Sequence, residues 1–232
     1  MSEGVTENDG RRPRLTRERV IQAALSVADS GGLGSLTIRS LAKELGTKPM
    51  SVYYHVANKD EILAALVDVV FSEIRLPVPG GDWRSEMRTR AASAREVLAR
   101  HRWAIGLLES RTDPGPANLR HHDTVIATLQ AAGFSAELTA HAYALIDSYV
   151  YGFALQEAAL PFQGPDGVGD VAETIMKRMA EGDYPHLVHM ATSYYVQPGY
   201  DFGDEFDFGL DLILDGIETL LAAGQALGPA GA

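Results

Sequence analysis

The sequence predicts an all-α fold in two parts, a small N-terminal helical domain and a larger C-terminal one. Three observations predict it. Apolar residues recur at three- and four-residue steps along most of the 232 residues. Capping residues and Gly/Pro-rich breaks interrupt that pattern at about the length of one helix. No alternating strand pattern competes, and no internal repeat is present. The sharpest break is Leu76-Pro77-Val78-Pro79-Gly80-Gly81. The expected organisation is a flexible basic arm over residues 1–14, a three-helix helix-turn-helix domain over 15–75, and a helical domain over 82–226.

Each element has a local cause. Residues 1–14 lack apolar periodicity. Thr16 is placed to cap a helix over 17–30, with Leu15 and Val20 as a hydrophobic staple. Val20, Ile21, Ala24, Leu25 and Ala28 line its inner side, and Gly31-Gly32 ends it. Thr37 caps a second helix that stops at Gly46; Thr47 caps a third, whose Pro49 is tolerated in the first turn. Asn58 and Glu61 make a capping-box-like start for a fourth helix, which carries Ile62, Leu63, Leu66, Val67, Val70 and Phe71 to about Ile74. Beyond the break, helices are expected near 82–101, 103–110, 117–132, 135–159, 170–181, 184–195 and 203–224.

Composition narrows the function. With no cysteine, disulfides and thiolate metal sites are excluded. No apolar run approaches the ~20 residues of a membrane span and no signal-peptide core is present, so a cytoplasmic protein with no membrane partner is expected. The net charge of −11 hides a division. Residues 11–59 carry nine Lys and Arg against three acids, whereas residues 60–232 carry eleven against twenty-five. The basic footprint of a nucleic-acid binder is thus confined to the helix-turn-helix segment. Acid-rich helices are also simply soluble helices, so the division does not by itself establish DNA binding.

On the third helix, Thr47, Met50, Ser51 and Tyr54 share one face, flanked by Lys48 and His55, while Val52 and Val56 face Ile38, Leu41, Ala42 and Leu45. One side anchors the helix and the other offers polar and aromatic groups to a major groove. Lys48 can donate to guanine or phosphate, Ser51 can hydrogen-bond and Met50 can pack on a thymine methyl. Thr37, Arg39 and Lys59 sit at helix beginnings, suited to phosphate, and Arg11, Arg12 and Arg14 can follow the backbone or enter a minor groove. An ordinary helical pair with a solvated face is the alternative; two exposed tyrosines beside His55 exceed what solubility requires.

The string Leu36-Thr37-x-Arg39-x-Leu41-Ala42-x-x-Leu45-Gly46 with Val52-Tyr53-Tyr54-His55-Val56-x-Asn58-Lys59 resembles the N-terminal domain of the TetR family of bacterial transcriptional regulators. Tyr-Tyr-His-Val-x-Asn-Lys is similar to the tetracycline-repressor branch. The resemblance implies that Thr37, Arg39, Tyr53 and Lys59 bind phosphate while Lys48 through His55 face the bases. It also implies a homodimer on palindromic operator DNA, with recognition helices about 34 Å apart.

Gly133-Phe134-Ser135 before a long helix resembles the same branch. The resemblance implies a small-molecule effector in the C-terminal core and two helices per subunit in a four-helix dimer interface, for which 135–159 and 203–224 are the candidates. Leu210, Ile213, Leu214, Ile217, Leu220 and Leu221 form a broad apolar face on the last helix. Gly209 and Gly216 there, with Gly152 on the earlier helix, leave room for a partner, so the candidate interface is Gly152, Gly209, Ile213, Gly216, Ile217 and Leu220. Asp204, Asp207, Asp211, Asp215 and Glu218 form one acidic face, read as solvated rather than metal-binding. Tyr143, Asp147 and Tyr151 recur at four-residue steps, as a pocket for a polar or cationic aromatic ligand or as core tyrosines satisfying a carboxylate. Trp103, Phe153 and Met176 suit a pocket lining or plain core. Arg75, ending the fourth helix, lies where the resemblance places communication between domains, or is a cation at a helix C-terminus.

The magnesium-binding histidine of the tetracycline repressor cannot be placed, since the corresponding segment reads Leu108-Glu109-Ser110-Arg111-Thr112 with His121-His122 out of register. Tetracycline–magnesium is therefore not expected, and no cofactor is assigned. His186 and His189, three apart, are read as surface or core residues rather than metal ligands. No nucleophile elbow, P-loop or dinucleotide fingerprint is present, and no nucleophile, base and orienting acid assemble, so no catalytic residue is assigned. The expected function is a ligand-responsive repressor. An activator or corepressor-dependent regulator of the same fold is the alternative. An all-α enzyme using the C-terminal pocket would leave the basic motif unexplained.

Overall fold

The computed structural model describes residues 14–108, 113–160, 176–179, 182–197 and 199–227. Arg11, Arg12, residues 109–112 and most of the expected 170–181 helix lie outside them. Among the described residues the regular elements are all helical. The chain divides into two units after Val67.

In the first unit, α1 is Arg17–Ser35 and is capped by Thr16, whose side chain accepts from the Arg19 N–H at 3.3 Å. The expected stop at Gly31-Gly32 is a break inside this element: Gly32 takes φ +68°, open to glycine at little cost, and a short turn continues to Ser35. Val20, Ile21, Ala24 and Ala28 are buried, and Leu25 is half-buried. Helix α2, Ile38–Glu44, opens with a reciprocal cap between Thr37 and Ser40. The reversal at Gly46, φ +60°, leads into α3, Pro49–Tyr53. Thr47 does not cap α3. Lys48 holds the cap position in an extended conformation without a side-chain bond, because Pro49 begins the helix one residue later than expected. Helix α4, Lys59–Glu73, begins with Asn58 Oδ1 accepting from the Glu61 N–H at 2.9 Å, while Glu61 reaches back to the Ala57 N–H at 2.7 Å. Its seven expected apolar positions are all buried.

The division falls within α4. Residues 68–73 belong with the C-terminal helices, against which Asp68 and Phe71 make their contacts. The second unit contains α5, Trp83–Arg100; a 3-10 turn at Arg102–Ala104; α6, Pro116–Ala131; α7, Ala136–Ala159; α8, Pro185–Met190, continued by a wider turn over Ala191–Tyr195; and α9, Asp204–Leu227. Residues 176–179 are also helical. Asp82 and Ser135 cap α5 and α7. The core lies where α7 packs on α5, α6 and α9. Trp83, Met87, Ala91, Ala94, Val97 and Leu98 form the inner face of α5, Val125 and Leu129 that of α6, and Leu210, Leu214, Ile217 and Leu221 that of α9.

Candidate DNA-binding surface and effector site

Helix α3 is held from behind. Val52 and Val56 are buried with Leu41 and Ala42, and the Thr47 N–H donates to the Ala42 carbonyl at 2.8 Å, closing the turn between the helices. Held this way, α3 turns its other side outward. Tyr54 is 84% exposed and Met50 67%, with Tyr53 and Lys48 also exposed and Thr47, Ser51 and His55 half-buried. The helix ends at Tyr53, so Tyr54 and His55 project from the turn that follows. Thr37 and Arg39 are exposed at the start of α2, and Arg14 is exposed ahead of α1, its carbonyl accepting from Arg19. Lys59 is exposed at the start of α4, its ammonium 3.4 Å from the Leu33 carbonyl. Glu61 pairs with Arg17 at 3.1 Å. Its carboxyl lies below the usual range, first because of the Ala57 N–H and then because of Arg17. Residues 47–55 include no acid, and their exposed aromatic, thioether and cationic groups stand on a buried base.

The second unit contains a buried polar cluster built from four helices. Arg90 of α5, 2% exposed, lies 2.6 Å from Asp147 of α7 as an ion pair outside hydrogen-bond alignment. The Arg90 Nε–H donates to His121 Nε2 of α6 at 2.9 Å. Burial first, then the neighbouring guanidinium and His122, push the His121 pKa down to about 3. At neutral pH this ring is uncharged with its proton on Nδ1, which finds no hydrogen-bond partner among the described residues. His122 bonds the Tyr143 hydroxyl, and Phe71 of α4 packs on both imidazoles with centroids 5.3 and 5.4 Å away. Thr139 Oγ1 is likewise buried without a partner among the described residues.

The seven residues expected to line a pocket have different contacts. Tyr143 and Asp147 join this cluster, Asp147 through an arginine rather than a tyrosine hydroxyl. Tyr151 is half-buried one turn further along α7. Phe153 faces elsewhere, stacked on Phe202 at 4.8 Å and edge-on to Phe206 at 5.1 Å. Arg95 lies over the Phe153 and Phe206 rings and pairs with Glu157 at 2.5 Å. Trp103 meets His101 in the 3-10 turn, Met176 is half-buried in the segment 176–179, and the Arg75 side chain is exposed while its N–H donates to Ser93. Sequence reasoning missed Arg90, His121, His122 and Phe71 as a group. The readable signal was Arg90, a charge inside the helical series of otherwise apolar core positions Trp83, Met87, Ala91, Ala94.

Two readings of α9 change. The acidic face is not merely solvated: Arg84 of α5 pairs with Asp211, Asp215 and Glu218, and Arg88 with Asp207 and Asp211. Gly209 is filled from within its own chain, because the Tyr149 ring lies where a Cβ would project and its hydroxyl donates to the Glu205 and Phe206 carbonyls at 3.0 Å. Ile217 is buried in the same chain and Ile213 is half-buried, whereas Gly216 and Leu220 are exposed and Gly152 has open space beside it. The apolar surface left uncovered on α9 is Phe208, Leu212 and Leu220; on α7 it includes Leu145 and Leu155. A groove of about 340 Å³ is lined by Ser148, Tyr149, Gly152, Phe153, Gln156, Phe202 and Glu205. His186 and His189 are exposed on α8, and no group of three metal-ligating side chains occurs among the described residues.

A helix-turn-helix with an exposed recognition face, joined to an all-helical domain with a buried polar cluster, defines a transcription regulator with a sensing domain. Residues 20–66 match the family of bacterial regulatory proteins, tetR family, and residues 76–221 match the tetracyclin repressor-like C-terminal domain. The chain belongs to the TetR family and is a ligand-responsive, DNA-binding transcriptional regulator. It is 34% identical to an HTH-type transcriptional regulator of Saccharopolyspora erythraea over 89% of this chain and 86% of that one. It is also 34% identical to the HTH-type transcriptional repressor DrrR1 of Streptomyces coeruleorubidus, over 92% and 81%. The crystal structure of the Streptomyces coelicolor TetR family protein ActR in complex with actinorhodin aligns with a TM-score of 0.72 and 28% identity, over 90% of this chain and 99% of that one.

Proposed function

We propose that this chain is a cytoplasmic repressor that binds a palindromic operator as a homodimer and is released by a small molecule held in the C-terminal unit. The observation that carries the DNA reading is the α3 face, with Met50, Tyr53 and Tyr54 exposed beside Lys48 while Val52 and Val56 are locked in the core. Side chains that reach base edges need such a rigid base. Thr37, Arg39 and Lys59 then hold phosphates and set the register. The dimer reading rests on α7 and α9, whose exposed Leu145, Leu155, Phe208, Leu212 and Leu220 leave an apolar face that a second copy would cover. The regulatory reading, as opposed to an enzymatic one, rests on the family.

The effector site is assigned to the cluster of Arg90, His121, His122, Tyr143 and Asp147. It supplies buried donors and acceptors, including His121 Nδ1 and Thr139 Oγ1, which have no partner among the described residues. The ActR complex with actinorhodin is the precedent for a small-molecule effector in this fold. Ligand and operator oppose each other reciprocally, with a coupling of about 1–3 kcal/mol. Footprinting DNA beside the protein's own gene supplies the operator duplex, and compounds that raise the melting temperature are then titrated against the complex. A compound that binds and weakens operator affinity supports the reading. One that binds Arg90 and His121 tightly and leaves operator affinity unchanged contradicts it.

A further inference from the structure

The Arg90–Asp147 pair is electrically neutral as a unit and almost wholly buried, its side chains 2% and 8% exposed. A second ion beside it would be buried without a counter-charge, at a cost that an uncharged polar group does not meet. His121 adds no charge, because burial first and then the guanidinium keep its ring neutral at physiological pH. Its Nε2 accepts from Arg90, which leaves the proton on Nδ1. That N–H is a donor with no partner among the described residues, on a side chain with no exposed surface. On α7, Thr139, Tyr143 and Asp147 follow at four-residue steps and so share one stripe of the helix. Tyr143 is engaged by His122. Thr139 Oγ1 and both Asp147 oxygens, the ion pair aside, accept or donate no hydrogen bond among the described residues. Leaving buried polar atoms unmade destabilises a fold, so the cluster is poorly explained as packing alone. A ligand that pairs these atoms removes that cost. It must offer an acceptor to His121 and a donor to Asp147, and it must bring no net charge.

We propose that the part of the effector entering this cluster is an uncharged hydroxy-ketone. Its carbonyl oxygen accepts from the His121 Nδ1–H, its hydroxyl donates to the Asp147 carboxylate, and the Thr139 hydroxyl is a further partner. This rests on the effector reading above. The full chain is titrated by calorimetry with three single-ring probes of one shape. They are neutral para-hydroxyacetophenone, anionic para-hydroxybenzoate and cationic para-hydroxybenzylammonium. The ketone is expected to bind about tenfold or more tightly than either ion. Thr139→Val removes a hydroxyl that the fold leaves unpaired, so it keeps the melting temperature and weakens the ketone by about fivefold or more. Asp147→Asn leaves the guanidinium uncompensated, and preference passes to para-hydroxybenzoate. Where Asp147→Asn does not fold, the wild-type ranking and Thr139→Val decide. Either ion binding the wild type as tightly as the ketone overturns the proposal, as does the absence of saturable binding by all three probes. So does a folded Asp147→Asn chain that still prefers the ketone. A Thr139→Val chain that binds the ketone like the wild type, or that melts at a lower temperature, overturns it too, the latter by marking the hydroxyl as structural. A ketone that binds as expected and leaves operator affinity unchanged overturns the effector reading instead, and the chemistry of the cluster stands.

Discussion

His121 shows what burial, and then a neighbouring guanidinium, do to an imidazole. The unfolded chain protonates His121 near the ordinary histidine value of 6.5, whereas the folded chain resists protonation down to about 3. Between those limits the unfolded state binds the extra proton, so stability falls as pH is lowered and is fully present only above the upper one. From pH 7 to pH 5 this residue accounts for a loss of about 2 kcal/mol. Urea unfolding at both pH values should show His121→Gln, which keeps an acceptor for Arg90, losing less than the wild type by about that amount. Equal losses in both proteins would contradict the assignment. On the DNA side, Tyr54→Ala should relax operator discrimination, whereas Lys59→Ala should weaken all DNA similarly and lower the salt slope by about one. Competition binding against mutated operators separates the two, and equal loss of discrimination would refute these roles. The outward and inward sides of α3 were legible in the sequence because Val52 and Val56 are four apart. The Arg90 cluster was not, because its members come from positions 71, 90, 121, 122, 143 and 147 and meet only when the helices pack.

Helix positions were largely legible, since caps such as Thr16, Thr37, Asn58, Asp82 and Ser135 act within four residues of their partners. What escaped was long-range. Gly115 reads as an ordinary break until Asp68 is brought to it, and Gly209 reads as room for another subunit until Tyr149 fills it. The acidic face of α9 reads as solvated because Arg84 and Arg88 lie more than a hundred positions away in the chain. Exposed pairs of this kind contribute little each, about 0–1 kcal/mol; the buried Leu210, Leu214, Ile217 and Leu221 set which side of α9 turns inward. That leaves Phe208, Leu212 and Leu220 outward, and a charge among them should be tolerated by the fold and not by the dimer. Leu212→Glu is expected to sediment as a folded monomer with unchanged helical circular dichroism and operator affinity reduced by about a hundredfold or more, as loss of one half-site implies. A variant that stays dimeric would move the interface elsewhere.

The net charge of −11 and the basic helix-turn-helix segment belong to one design. On the proposed reading, repulsion between the acidic C-terminal sequence and phosphate favours docking through the basic segment, whose cations would give an affinity that depends on salt. Footprinting over a salt series on the DNA flanking the protein's own gene tests this account most directly. It predicts a protected palindrome with half-sites about one helical turn apart, and an affinity that falls steeply as salt rises. Weak, unlocalised binding with no palindrome, or an affinity indifferent to salt, would contradict it.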